Sequence, residues 1–141
     1  MEKRPPNVLW IFCDQLRAQA LSCAGDGNVR TLHIDGLARA GVHFTCGVSQ
    51  YPVCAPFRAG LLTGQYAHVN GLRVHGDLLP PDRRTVAHAF RAARYRTSWY
   101  GKWHVASVQG VSGWKERAEP AVASFKFETA NWAVPAISVT K

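Results

Sequence analysis

The chain has 141 residues, of which 47% are hydrophobic, 11% aromatic and 18% charged. This ordinary globular mixture excludes a wholly disordered or collagen-like protein, and the length fits one domain of roughly 100–200 residues. Lys and Arg number 17 against 9 Asp and Glu, so the formal net charge of +8 favours an anionic partner. No basic stretch is interleaved with aromatics as in nucleic-acid modules, so we expect no nucleic-acid partner. A DNA-binding module stays the alternative that the charge alone supports.

No targeting segment is recognisable near the start of the chain. The apolar run from Val8 to Cys13 is too short for a secretory signal, and no small-residue cleavage site follows it. No run approaches the ~18 apolar residues of a membrane span. We therefore expect a cytoplasmic protein without a membrane partner, whose cysteines (Cys13, Cys23, Cys46, Cys54) are reduced. Their spacing lacks the paired pattern of a zinc site.

Strand-like and helix-like segments alternate over the first hundred residues. The run Asn7 to Cys13 is typical of a strand buried on both faces, as in a parallel sheet. The segments that follow are a short helix or turn with a Gly-rich loop (16–27), a helix (31–41), a strand (42–48), a helix from Phe57 to near Gly64, a helix (82–95) capped by Asp82, and a strand (96–100). This order predicts an α/β fold with a mostly parallel sheet.

Residues 106–141 differ in character from the rest of the chain. They contain scattered Gly, Pro and Trp with little periodicity. We predict one segment over 1–105 and a divergent tail over 106–141, frame-shifted or disordered.

Three loops bring chemistry-bearing residues to the expected carboxyl edge of the sheet. Asp14 and Gln15 follow the first strand, where open α/β sheets bind ligands, and a carboxylate suits Ca²⁺ or Mg²⁺. Cys54 lies just before a helix whose positive end favours an anion or an activated sulfur. Arg58 lies one turn further along that helix.

Lys102 and His104 form the third of these loops. They are two residues apart at a strand end, so both side chains can face one side. The residues alone predict an α/β domain with an anion site. Ordinary structural roles stay open, such as a buried Cys54 or a helix-capping Asp14.

Four segments resemble the motifs of type I sulfatases, members of the alkaline-phosphatase-like superfamily. Residues 54–64 (CAPFRAGLLTG) resemble the family's C-x-P-x-R…L-L-T-G signature, and residues 6–15 (PNVLWIFCDQ) resemble its first strand and metal loop. Residues 31–44 resemble T-P-N-I-D-x-L-A-x-x-G-x-x-F, and residues 95–104 resemble Y-x-T-x-x-x-G-K-W-H. The motifs occur in the family's order, so the resemblance covers residues 6–104.

This resemblance implies an alkaline-phosphatase-like α/β fold and a sulfuric ester hydrolase. In such enzymes a separate maturation enzyme oxidises the cysteine matching Cys54 to formylglycine, whose hydrate attacks the sulfur of a sulfate ester. The substrate would be a small-molecule sulfate ester or a sulfated glycan. Arg58 would hold the formylglycine, Lys102 would bind a sulfate oxygen, and His104 would hydrogen-bond the hydrate.

The resemblance also implies a divalent metal, Ca²⁺ or Mg²⁺. Its ligands here would be Asp14, Gln15 and the modified Cys54. Gln15 stands where many relatives have a second Asp.

The chain departs from the family pattern in two places and in length. Phe57 occupies a position usually held by Ser or Ala, and Leu32-His33 replaces Pro-Asn. Family members are several times longer, and no Asp occurs after Asp82 to supply their later Asp-Asn pair. We therefore expect an N-terminal, truncated part of a sulfatase that is inactive by itself. A non-catalytic remnant and a phosphonate or phosphate monoester hydrolase are the alternatives.

Overall fold

The computed structural model describes residues 5–105, 125–126 and 136–140. The chain divides into two compact units: one holds the residues up to Phe12 and those from Ser49 onward, and the other is Cys13–Val48. The elements in chain order are β1 (Val8–Ile11), a 3-10 turn (Ser22–Ala24), α1 (Leu32–Ala40), α2 (Cys54–Thr63), α3 (Ala67–Asn70), α4 (Val86–Ala92), β2 (Arg96–Tyr100), β3 (Phe125–Lys126) and β4 (Ala136–Thr140).

The four described strands form one sheet in the order β1-β4-β2-β3. Strand β4 is antiparallel to both of its neighbours, with Val139 opposite Val8 on one side and Thr97 on the other. Strands β1 and β2 therefore run in the same direction, while β3 pairs parallel with β2. The prediction of a mostly parallel sheet is wrong for the described strands, because β4 lies between β1 and β2 and opposes both. Strand β4 comes from the tail in which the sequence pattern indicates no regular element.

Strand β1 differs from its prediction in length and in burial. It is shorter than the apolar run, and all four of its residues are exposed, Leu9 by 65%. Its apolar composition is suited to a strand covered on both faces. Among the described elements it pairs with β4 along one edge, and that pairing does not cover its faces.

The core of the first unit forms where α2 meets the sheet. Ala55, Ala59 and Leu62 of α2 are buried in one cluster with four residues from other segments (Leu72, Trp99, Val105, Val139). Aromatic rings extend this cluster: Trp99 makes edge-on contacts with Phe12 at 5.8 Å and with Trp103 at 5.0 Å between ring centroids. Such contacts contribute beyond the area that they bury. They join Phe12, which follows β1, and Trp103, which follows β2, to the buried cluster.

Helix α2 begins at Cys54, three residues before the predicted start at Phe57. Pro56 is compatible with this position, because the first turn of a helix leaves its backbone N–H groups without intrahelical acceptors. The helix ends as predicted at Gly64, whose φ of 67° is left-handed and suits glycine.

Helix α4 begins at Val86 and not near Asp82. Residues 80–83 form a turn in which the Arg83 N–H donates to the Pro80 carbonyl, at 3.1 Å. The cap is Thr85, which forms a capping box with His88. The predicted Asp82 cap is therefore wrong. Strand β2 matches its prediction, whereas α3 lies between two predicted helices, in a segment where no helix is predicted.

The second unit contains α1, whose bounds agree with the predicted helix between Thr31 and Gly41. The predicted helix or turn over 16–27 is a 3-10 turn ended by Gly25 at a φ of 99°. Residues 42–48 form no strand, so that prediction is wrong. Their side chains are exposed, Phe44 by 81%, and no strand of this unit lies beside them to pair with.

Asp35 joins α1 to the 3-10 turn. Its carboxylate accepts hydrogen bonds from the Ser22 hydroxyl at 2.6 Å, the Thr31 hydroxyl at 2.7 Å and the Cys23 N–H at 3.1 Å. The donors, Ser22 first and then Thr31, lower the pKa of Asp35 below its ordinary value. Thr31 and Asp35, which belong to the motif over residues 31–44, therefore have a structural role.

None of the helices in the described part of the chain combines the length and apolar character needed to cross a membrane.

Candidate active site

Cys54 is the first residue of α2 and is half-buried. Its thiol is not in a disulfide. The residue before it, Val53, is in extended conformation and accepts the first helical hydrogen bond, from Phe57 N–H at 2.8 Å. The positive end of the helix dipole therefore lies at Cys54, where it favours negative charge on the side chain or on a bound anion.

Arg58 lies one helical turn after Cys54 and is only 1% exposed. Its guanidinium stacks over the Phe12 ring, 5.1 Å from the ring centroid. Its Nη1 donates a hydrogen bond to the main-chain carbonyl of Lys102. Residues four apart on a helix share a face, so this fixed positive charge is a neighbour of Cys54.

The turn after β2 carries Lys102 and His104. The Lys102 carbonyl also accepts a hydrogen bond from the Trp99 indole at 3.3 Å, so two buried side chains hold it. Gly101 and His104 have left-handed φ values of 84° and 57°. His104 is a non-glycine residue in that region, a conformation that occurs often at functional sites.

The prediction that Lys102 and His104 face one side because they end a strand is wrong. Strand β2 ends at Tyr100, so strand alternation does not orient them. The side chain of Lys102 is exposed and that of His104 is half-buried. The turn is fixed at its end by Val105, whose carbonyl accepts a hydrogen bond from Leu79 N–H at 3.0 Å.

The structure adds His75 to the residues around Cys54. The Cys54 sulfur and one ring nitrogen each of His75 and His104 all lie within 4.8 Å of one another. The two imidazole rings meet edge-on, with centroids 4.8 Å apart. The sequence carries no signal for this, because His75 is a lone histidine in a polar loop, far from the other two residues in sequence.

Asp77 shapes the loop that carries His75. Its carboxylate accepts hydrogen bonds from the N–H groups of Arg73 at 2.9 Å and Val74 at 3.1 Å. These backbone donors lower the pKa of Asp77. Leu72, fully buried, and Leu79 anchor the loop on either side.

The structure thus brings Cys54, Arg58, Lys102 and His104 to one region of the first unit. Asp14 and Gln15 belong to the second unit, where both are exposed. Their assignment as metal ligands stays a prediction. Most of the predicted tail lies outside the described residues.

A half-buried cysteine at a helix N-terminus, one turn before a buried arginine, is an arrangement suited to a nucleophile that acts on an anion. The protein-family comparison agrees with this class, because the model described as Sulfatase matches residues 6–127. The chain therefore belongs to the sulfatase family. The match extends past residue 104, where the resemblance of the four motifs ends.

Individual relatives support the same family. The chain is 45% identical over 104 residues to an ulvan-active sulfatase of Formosa agariphila, covering 74% of this chain and 20% of that protein. It is 39% identical to mouse steryl-sulfatase, covering 72% and 18%, and 38% identical to human arylsulfatase A, covering 72% and 21%. The chain thus spans about a fifth of the length of these relatives. No solved structure matches it significantly.

Proposed function

We propose that this chain provides the nucleophile and part of the anion-binding machinery of a sulfuric ester hydrolase. The observation that carries the proposal is the position of Cys54 at the start of α2, with Arg58 buried one turn later and tied to the Lys102 turn. The names of the relatives, which include ulvan-active, steryl- and arylsulfatases, favour sulfate esters of small molecules or of glycans as substrates.

The proposal includes conversion of Cys54 to formylglycine by a separate maturation enzyme. Formylglycine, once formed, supplies a hydrated aldehyde oxygen as the nucleophile, which a thiol cannot supply. Arg58 holds a fixed positive charge beside that position and, being buried, keeps its direction without reorganisation. Its bond to Lys102 couples α2 to the turn that binds substrate.

Lys102 and His104 act on the substrate side of the proposed site. Lys102 is exposed and carries a mobile point charge, which suits contact with a sulfate oxygen. His104 has a ring nitrogen within 4.8 Å of the Cys54 sulfur, close enough to exchange a hydrogen bond with the nucleophile after a small adjustment.

A divalent cation is also part of the proposal. The carboxylate of Asp14 and the amide carbonyl of Gln15 are hard oxygen donors, which fit Ca²⁺ or Mg²⁺. A bound cation would supply a localised positive charge, as metal ions do in hydrolytic sites. Ca²⁺ takes about six to eight oxygen ligands, so these two residues would form part of its coordination shell.

Sulfate binding tests the proposal without requiring turnover. The experiment titrates sulfate, and separately phosphate, into the ¹⁵N-labelled 141-residue polypeptide and follows amide shifts. We expect sulfate to shift amides in the first turn of α2 and around Lys102. Lys102→Ala should weaken sulfate binding about tenfold, the equivalent of one charge-assisted hydrogen bond.

Arg84→Ala is the matched control, because Arg84 is also an exposed cation near the site in sequence. It should change the affinity less than about twofold. Equal weakening by both substitutions would show a diffuse charge effect and contradict the proposal. Tighter binding of phosphate than of sulfate would favour a phosphate monoester hydrolase. Because the chain spans about a fifth of its relatives, we expect the polypeptide by itself to bind sulfate without hydrolysing an aryl sulfate.

A further inference from the structure

We propose that the thiol form of this protein binds Zn²⁺ through Cys54, His75 and His104. The ligand atoms of these three residues lie within 4.8 Å of one another, and all belong to the first unit. The inference concerns the protein before any conversion of Cys54, so it does not depend on the hydrolase proposal.

The chemistry of the three donors selects the class of metal. One thiolate and two imidazoles are borderline-soft ligands, which favour zinc and related transition metals over calcium or magnesium. On binding, the Cys54 thiol would release its proton to solvent and the sulfur would coordinate as thiolate. Three protein ligands leave a fourth position for water, as in open zinc sites.

The geometry requires only a small contraction. With Zn–S of about 2.3 Å and Zn–N of about 2.0–2.1 Å, tetrahedral ligand atoms lie roughly 3.3–3.6 Å apart. The present separations of up to 4.8 Å therefore exceed the bound values by about 1.5 Å at most. His75 can make this adjustment, since it is exposed on a loop, while the buried Leu72 keeps the loop in place.

His75 distinguishes this site from the one proposed for sulfate esters. It belongs to none of the four family motifs, and the hydrolase proposal gives it no role. Zinc binding and conversion both use the sulfur of Cys54, so the two exclude one another. Bound zinc would therefore keep Cys54 as an unconverted cysteine.

Metal titration of the intact 141-residue polypeptide tests the proposal. Zn²⁺ affinity is measured by competition with a chromophoric chelator, and Co²⁺ serves as a spectroscopic probe. We expect one metal per chain and a thiolate-to-cobalt charge-transfer band that disappears in Cys54→Ser. His75→Ala should lower the Zn²⁺ affinity at least about tenfold, as expected for a lost ligand.

Exposed residues outside the cluster serve as controls. His68→Ala and Cys46→Ser should leave both the affinity and the cobalt band unchanged, and circular dichroism checks that each variant is folded. An affinity that falls equally in His75→Ala and His68→Ala would overturn the proposal.

A second measurement uses the unmutated protein. Zn²⁺ should slow alkylation of Cys54 by iodoacetamide, read by peptide mass spectrometry, without slowing that of the exposed Cys46. An unchanged alkylation rate at Cys54 under saturating Zn²⁺ would place the metal elsewhere and overturn the proposal.

Discussion

Arg58 donates a hydrogen bond from Nη1 to the main-chain carbonyl of Lys102, which lies 44 residues further along the chain. The bond joins two segments that carry separate family motifs. The Trp99 indole donates to the same carbonyl, and the Phe12 ring covers the guanidinium. The geometry of the candidate site therefore depends on a buried side chain that acts through the backbone of its neighbour.

Arg58→Lys tests this dependence. Lysine keeps the charge but lacks the planar, stacked guanidinium, so the buried cation would lose its fixed hydrogen bond. We expect the free energy of unfolding to fall by about 1–3 kcal/mol, measured by urea denaturation with tryptophan fluorescence. Arg73→Lys, at an exposed position, should change it by less than about 0.5 kcal/mol. Equal midpoints for the two variants would contradict the assigned role of Arg58.

Two glycines offer a matched comparison of backbone requirements. Gly64 ends α2 at a φ of 67°, so Gly64→Ala should destabilise the protein by about 1 kcal/mol. Gly36 lies within α1 with open space where a Cβ would be, so Gly36→Ala should stabilise it by about 0.5–1 kcal/mol. Far-UV circular dichroism during urea unfolding measures both changes. Two changes of the same sign would contradict the local conformations described.

Asp35 predicts a pH dependence of stability. Its pKa is lower in the folded protein than in the unfolded chain, because Ser22 and Thr31 donate to the carboxylate. The ionised group therefore stabilises the fold above its unfolded pKa of about 4, and this contribution disappears as the pH falls through the lower folded value.

The measurement compares wild type with Asp35→Asn by urea denaturation at several pH values. The stability difference should be largest near neutral pH and should shrink towards pH 3. Thr31→Val, which removes one donor, should reduce the pH dependence without abolishing it. A difference that is constant with pH would contradict the assignment.

Much of the local structure could be predicted from the sequence, whereas the long-range contacts could not. Helix α1 and the glycine end of α2 follow from periodicity and from the left-handed preference of glycine. The position of β4 between β1 and β2 depends on pairing between distant segments, and its sequence carries no strong pattern. Helix α4 begins at Val86 and not near Asp82, because the preceding prolines form a turn, which competes with helix.

The residues of the candidate site show the same contrast between features that the sequence predicts and features that it does not. Cys54, Arg58, Lys102 and His104 could be found because they occur in motifs with fixed spacing. The contribution of His75 could not be predicted, because the polar loop that carries it approaches Cys54 only in the folded chain. The burial of Arg58 could not be predicted either, because a charged residue in a short helix is usually exposed.

Phe57 gives a prediction about maturation. It stands where the family usually has Ser or Ala, and its ring packs edge-on against Phe12 with centroids 6.2 Å apart. We expect Phe57→Ser to increase the converted fraction of Cys54 several-fold during co-expression with a formylglycine-generating enzyme, because it removes bulk beside the cysteine. It should cost about 1–2 kcal/mol of stability. Phe44→Ser, at an exposed position, should change neither quantity, and equal conversion in the two variants would contradict this role.

Peptide mass spectrometry after that co-expression shows whether Cys54 is the residue that is converted to the nucleophile. We expect that Cys54 alone loses its sulfur and gains an aldehyde, in the Phe57→Ser variant at least and in the wild type to a smaller extent. Cys13, Cys23 and Cys46 should remain thiols. If Cys54 stays a thiol in both proteins while a known sulfatase in the same cells is converted, Cys54 is not the precursor of the nucleophile.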